Sequence, residues 1–153
     1  MDNKEMRMEL QKKLNKIQTT LKAPKNQFND FGKYKYRNCE DILNAVKPLL
    51  DGCILTINDN IHLVGDRFYV EATATISFEK EEISTNAFAR EPAVQKGMNE
   101  AQITGATSSY ARKYALDGLF CIDDTRDNDT KTIKKTSTVT LTKKGTVKNE
   151  LTI

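Results

Sequence analysis

Histidine is nearly missing from this chain: His62 is the only one in 153 residues. No Ser-His-Asp or Cys-His arrangement can be argued from it. No cysteine or second histidine stands at ligand spacing to make it part of a zinc site. Cysteine is scarce too. Cys39, Cys53 and Cys121 are odd in number and far apart in sequence. Neither a disulfide framework nor a metal cluster is expected, and a reducing cytosol fits. Long apolar runs are also missing. Nothing approaches the length of a membrane span or a signal-peptide core, and the opening MDNKEMRMEL is charged from its second residue. The expectation is a soluble intracellular protein with no membrane association and no cofactor.

A nucleotide-binding loop is missing as well. A phosphate nest of the Walker type needs a glycine, four residues, then Gly-Lys-Ser/Thr. The nearest fragment, Gly32-Lys33, is followed by Tyr34, and the earlier glycine position holds Gln27. An ATP-driven recombinase is therefore not expected. The acidic run of Asp123, Asp124, Asp127 and Asp129 is the best candidate for a Mg²⁺ or nuclease site. It lacks the glycine and distal glutamate of a calcium loop, and a solvated acidic turn at a domain edge explains it more simply.

What remains is a charged chain long enough for one domain with a core. Its hydrophobic fraction is 38% and its charged fraction 29%. The net charge of +3 is uneven: residues 1–50 carry +5, residues 51–127 carry −6 and residues 128–153 carry +4. A polyanion site would recruit basic residues locally. The segment after residue 127 is rich in Thr and Lys, with too few apolar residues for a core. The expected organisation is a domain over 1–127 and a disordered or weakly structured tail over 128–153.

Periodicity supplies the elements. Met6, Leu10, Leu14, Ile17 and Leu21 make one apolar stripe on a helix that Pro24 ends. The stripe suits docking on a core, and a subunit contact is compatible with it. Residues 25–37 read as a loop or short strand. Asn38 and Asp41 suggest a capped helix through Ile42, Val46, Leu49 and Leu50, tightened by Pro48 and stopped at Asp51-Gly52. The period then becomes two. Short strands are expected at 54–57 and 61–64, joined by a turn at Asn58-Asp59-Asn60. The cleanest alternation follows, with Phe68, Val70, Ala72, Ala74, Ile76 and Phe78 on one side. Residues 83–90 return as the last strand. A helix is expected over 99–116, ended by Gly118. Its Ile103, Ala106, Thr107, Tyr110 and Tyr114 share one face, with Ala101, Gly105, Ser108, Arg112 and Ala115 on the other. With few charges on either side, this helix is expected to be covered on both faces. The class is α+β: an antiparallel sheet, a long helix packed on it, and an N-terminal helix.

Two segments suit single-stranded nucleic acid. Lys33-Tyr34-Lys35-Tyr36-Arg37 alternates cations with rings; extended, it places the rings on one side and the cations on the other. Cations neutralise phosphates, and each stacked base is worth roughly 1–3 kcal/mol. Tyr110-Ala111-Arg112-Lys113-Tyr114 repeats the theme on a helix, where Arg112 and Lys113 are the only cations. The plainer readings are core tyrosines in the first segment and snorkelling cations in the second.

These residues resemble a known family. Phe31-Gly32-Lys33-Tyr34-Lys35-Tyr36-Arg37, followed by Glu40-Asp41-Ile42-Leu43-Asn44-Ala45-Val46-Lys47-Pro48-Leu49-Leu50, is similar to the opening block of the ERF family of phage and prophage single-strand annealing proteins. Gln102 to Leu116, with Gly105 and then Tyr110-Ala111-Arg112-Lys113-Tyr114-Ala115-Leu116, resembles the family's helix, and Asp127 and Asp129 its terminal acidic pair. Ser108-Ser109 departs from the bulkier residues often found there, and family members commonly run longer. The resemblance covers residues 5–129.

The resemblance implies ATP-independent annealing of complementary strands in phage recombination, in the cytoplasm of a bacterial host. It implies a β-β-β-α core, in keeping with the strands followed by a helix, a ring or helical filament of copies, and a basic groove that holds the backbone with bases exposed. Arg112 and Lys113 would line that groove, with Tyr110, Tyr114, Lys33, Lys35, Tyr36 and Arg37 as further DNA contacts. Single-stranded DNA and further copies of the chain are the expected partners, with a host single-strand-binding protein or a phage exonuclease beside them. The alternatives are a passive single-strand binder or a Mg²⁺-dependent nuclease using the Asp123 to Asp129 cluster.

Overall fold

The computed structural model describes residues 2–123. The tail over 128–153, the boundary expected at 127, and Asp124, Asp127 and Asp129 all lie outside the described residues.

Helix α1 spans Asn3–Thr20. Asp2 caps it: its carboxylate accepts from the Glu5 N–H at 2.7 Å, and Glu5 accepts from the Asp2 N–H at 2.8 Å. Such a box satisfies two of the orphan donors at a helix start. Met6, Leu10, Leu14 and Ile17 are buried, and the last three join the main core. The stripe docks on the chain's own core, so it is no longer on offer for a subunit contact. After Pro24, β1 (Gln27–Asn29) and β2 (Tyr34–Tyr36) form a small antiparallel hairpin, with Phe28 opposite Lys35. Helix α2 (Cys39–Val46) starts at Asn38, where the predicted box with Asp41 is formed in both directions. Pro48 sits in a tight 3-10 turn at its end.

Strands β3 (Ile54–Val64), β4 (Arg67–Phe78) and β5 (Glu81–Arg90) form one antiparallel sheet in that order. This corrects the turn expected at Asn58-Asp59-Asn60. β3 is continuous, and its pairing with β4 runs unbroken through Asn58↔Thr73, Asp59↔Ala72 and Asn60↔Glu71. Asn and Asp are poor strand formers, but eleven residues of ladder and a partner for Asp59 on a neighbouring helix override that preference. The long alternating strand, β4, is central and paired along both edges. Val70, Ala72, Ala74 and Ile76 are all fully buried on its helix-covered face.

Helix α3 spans Glu100–Phe120, with Asn99 and Gln102 forming its capping box. It runs through Gly118, which had been expected to end it, and stops where Cys121 turns left-handed (φ 49). A Cβ at Gly118 would lie 2.9 Å from the Thr85 methyl, so this glycine is where the helix approaches β5 closely. The faces of α3 also differ from expectation. Ile103, Thr107, Ala111, Ala115, Leu116, Leu119 and Phe120 are buried, whereas Tyr110 and Tyr114 are exposed. The reason is close packing of small residues: Ala72, Ala74, Ala111 and Ala115 share one core at zero exposure. That register rolls the two large rings out to the surface, so one face of α3 is open.

The result is the α+β class and the β-β-β-α order, with α1 and α3 on one face of the sheet. The opposite face is polar. Glu71 at its centre accepts from Asn86 at 2.6 Å and lies 2.6 Å from His62 Nε2, tying all three strands together. Among the described residues no helix is long and apolar enough to cross a membrane.

Candidate nucleic-acid interface

The open face of α3 is built around Lys113. Tyr110 and Tyr114 are one turn apart, and their ring centroids lie 6.3 Å from each other. The Lys113 ammonium sits 5.3 Å from the first centroid and 5.0 Å from the second. Each ring attracts the cation through its π-face, worth about 0.5–1 kcal/mol at an exposed site. The rings hold the ammonium at the surface and remain about half-exposed themselves, at 55% and 45%. Burial pushes the Tyr114 hydroxyl pKa up, helped by Tyr110, Asp117 and Tyr34.

The hairpin brings its own rings and cations. Tyr34 and Tyr36 meet edge to face at 6.1 Å. Asn29 shapes the turn by accepting from the Gly32 N–H at 2.8 Å and donating to the Tyr34 hydroxyl at 3.3 Å. A Cβ at Gly32 would press on the Tyr34 ring, so the glycine gives that ring room to fold over the turn. Lys33 is left-handed (φ 53), 3.6 Å from Asp30 and 6.0 Å from the Phe28 ring. Lys35 and Tyr34 are exposed, Tyr36 is half-buried and Phe31 is fully exposed.

Arg37 stands apart from the cations with which sequence had grouped it. It is buried at 8% exposure beside Gln18, Leu21, Ala23 and Phe120. β2 ends at Tyr36, so the alternation of rings and cations stops before this residue. Arg112 diverges from Lys113 as well. Its Nε donates to both oxygens of Asp59, at 3.1 and 3.0 Å, and its Nη2 lies 2.9 Å from one of them. Hydrogen bonding to Asp59 pushes the Arg112 pKa up.

Sequence reasoning missed Asp59 as the partner of Arg112, and it missed Phe88 and Arg90. These two, with Tyr110 and Tyr114, wall a cleft of about 540 Å³ between the end of β5 and α3. A signal for Asp59 was available: Leu55, Ile57, Asp59, Ile61 and Leu63 keep a strict period of two across the polar triplet. Among the six Phe and five Tyr, only Phe120 is buried. A chain that leaves its rings at the surface has them available for stacking. Among the described residues no three of His, Cys, Asp and Glu gather in a way that could hold a metal ion.

The arrangement has the chemistry to neutralise phosphates and stack bases. The ERF superfamily model matches residues 10–151. The essential recombination function protein of Salmonella phage P22 is 59% identical over 130 residues, covering 85% of this chain and 63% of that protein. The chain thus spans less than two thirds of that relative's length. No solved structure matches it. A family match across most of its residues, together with this identity, means that the chain belongs to the ERF superfamily.

Proposed function

We propose that this protein binds single-stranded DNA and anneals complementary strands in phage homologous recombination without hydrolysing a nucleotide. The observation that carries the reading is Lys113 held between the exposed rings of Tyr110 and Tyr114. Two free strands anneal slowly because their phosphates repel and each folds on itself. Cations that neutralise the backbone remove the first barrier, and rings that stack bases hold the strand open against the second. Pairing then supplies the free energy, so the protein needs no catalytic group.

One copy offers only a few contacts. Holding a long strand requires many copies side by side, each binding a few nucleotides, with avidity supplying the rest. The sheet supports such an assembly: among the described residues nothing pairs with the outer edge of β3 or of β5. An unpaired edge is a template for a neighbouring chain. A ring or helical filament is the form in which every such edge is matched.

The test is binding of a labelled oligothymidine at increasing salt, with and without ATP. The affinity falls on a log–log line with a slope of about −0.7 per phosphate neutralised, and ATP changes nothing. A salt-independent affinity, or one that requires ATP, would contradict the proposal.

A further inference from the structure

Adjacent residues on a helix point about 100° apart, so Arg112 and Lys113 serve different surfaces. Lys113 faces its two rings. Arg112 faces the sheet, where Asp59 occupies the middle of edge strand β3 on the helix-covered side, between Ile57 and Ile61. Both carboxylate oxygens of Asp59 are taken up by α3. One accepts from Arg112 Nε at 3.1 Å. The other accepts from Nε at 3.0 Å, lies 2.9 Å from Nη2, and accepts from Ser108 Oγ at 2.5 Å. Ser108 and Arg112 are one helical turn apart, so a single carboxylate grips two successive turns of the helix. α3 lies mainly over β4 and β5 and reaches β3 far less. The grip on Asp59 is therefore its principal polar tie to the edge strand.

We propose that Arg112 is not a phosphate ligand but half of a positioning clamp with Asp59 and Ser108, which sets the rotation of α3 so that Lys113, Tyr110 and Tyr114 face the bound strand. The inference rests on single-strand binding at the Lys113 face. The side chain of Asp59 is only 21% exposed, and a carboxylate taken out of water is costly without its partner. A phosphate that captured Arg112 would leave that carboxylate without its cation. Lys113 instead faces the π-clouds of two neutral rings. The two adjacent cations thus divide the work: one aims the helix and the other meets the strand.

Four variants of the full chain test this: Lys113→Gln, Arg112→Gln, Asp59→Asn, and the double variant Asp59→Asn with Arg112→Gln. Each is read by the salt slope of oligothymidine binding and by thermal melting. Lys113→Gln flattens the slope by about 0.7, the value for one lost phosphate contact on a single strand, and leaves melting unchanged. Arg112→Gln lowers the melting temperature and weakens binding several-fold, yet keeps the wild-type slope. The double variant regains affinity and melting temperature with no cation at 112, because its two amides can still bond. The clamp is overturned if Arg112→Gln flattens the slope as Lys113→Gln does with melting unchanged, or if the double variant is no better than the single ones. If the wild-type chain fails to bind single strands, the proposed function falls instead. Melting then still judges the clamp: strong non-additivity in the four-variant cycle supports it, and additive losses overturn it.

Discussion

Tyr110 and Tyr114 do two jobs if the Lys113 face holds a strand: they steady the ammonium and offer faces to bases. Tyr110→Ala and Tyr114→Ala should each weaken oligothymidine binding by about 1–3 kcal/mol, while the Phe variants retain most of the affinity. Anisotropy titrations check this, and alanine variants that bind like the parent would remove stacking from the account. Glu71 carries a prediction of another kind. Hydrogen bonds from Asn86 and then His62 hold its pKa below the usual glutamate value. A depressed carboxylate contributes stability that is present above its unfolded value and lost as pH falls through its lower folded value. Melting should therefore drop more steeply on acidification in the parent than in Glu71→Gln. Superimposable pH profiles would mean that the network across the outer sheet face contributes nothing. At this scale the sequence was only partly readable. Lys113, Tyr110 and Tyr114 stand out by type and spacing. The pairing of Arg112 with Asp59 needs the register of β3 against β4, which brings together residues 53 positions apart. The burial of Arg37 depends on where β2 ends, and alternation alone does not give that.

α3 owes its placement to small residues, and its two exposed glycines differ in consequence. Nothing lies within 4 Å of a Cβ built at Gly105, whereas one at Gly118 would press on the Thr85 methyl at 2.9 Å. Gly105→Ala should stabilise the fold by up to about 1 kcal/mol, the usual helix gain over glycine. Gly118→Ala should destabilise it. Overpacking costs about 1–3 kcal/mol against a stiff β-branched neighbour, and the helix gain offsets only part of that. Opposite shifts in thermal melting check the pair, and a gain at both positions would show that α3 can lift from β5 without cost. The three helices, the capped start of α2 and the central strand were legible because apolar periodicity and an N-cap are local signals. Two errors share a cause. Asn58-Asp59-Asn60 read as a turn and Gly118 as a stop because local propensity points that way. In the fold, the β3–β4 ladder and the contact with β5 decide instead.

The whole molecule presents an asymmetric sheet. β5 carries Glu81, Glu82 and Arg90 at its ends, charges that blunt an edge. β3 has neither Lys nor Pro, and its one carboxylate points inward to Arg112, while Ile54, Ile61, Leu63 and Val64 remain exposed. That edge is unguarded, so assembly is expected to use it. Light scattering at micromolar concentration should report a mass several times the 17.3 kDa of one chain. Replacing Ile61 and Leu63 by lysine should reduce that mass, and a monomer with or without single-stranded DNA would count against a ring or filament. The central claim is annealing itself, which the fold class alone does not imply. Its most direct measurement is the rate at which two labelled complementary strands pair when mixed with the protein at low and high salt, without any nucleotide. The account predicts pairing well above the spontaneous rate at low salt, falling toward it as salt rises, and lost in Lys113→Gln. Strands that are bound by the protein yet pair no faster than free strands would contradict it and leave a passive single-strand binder.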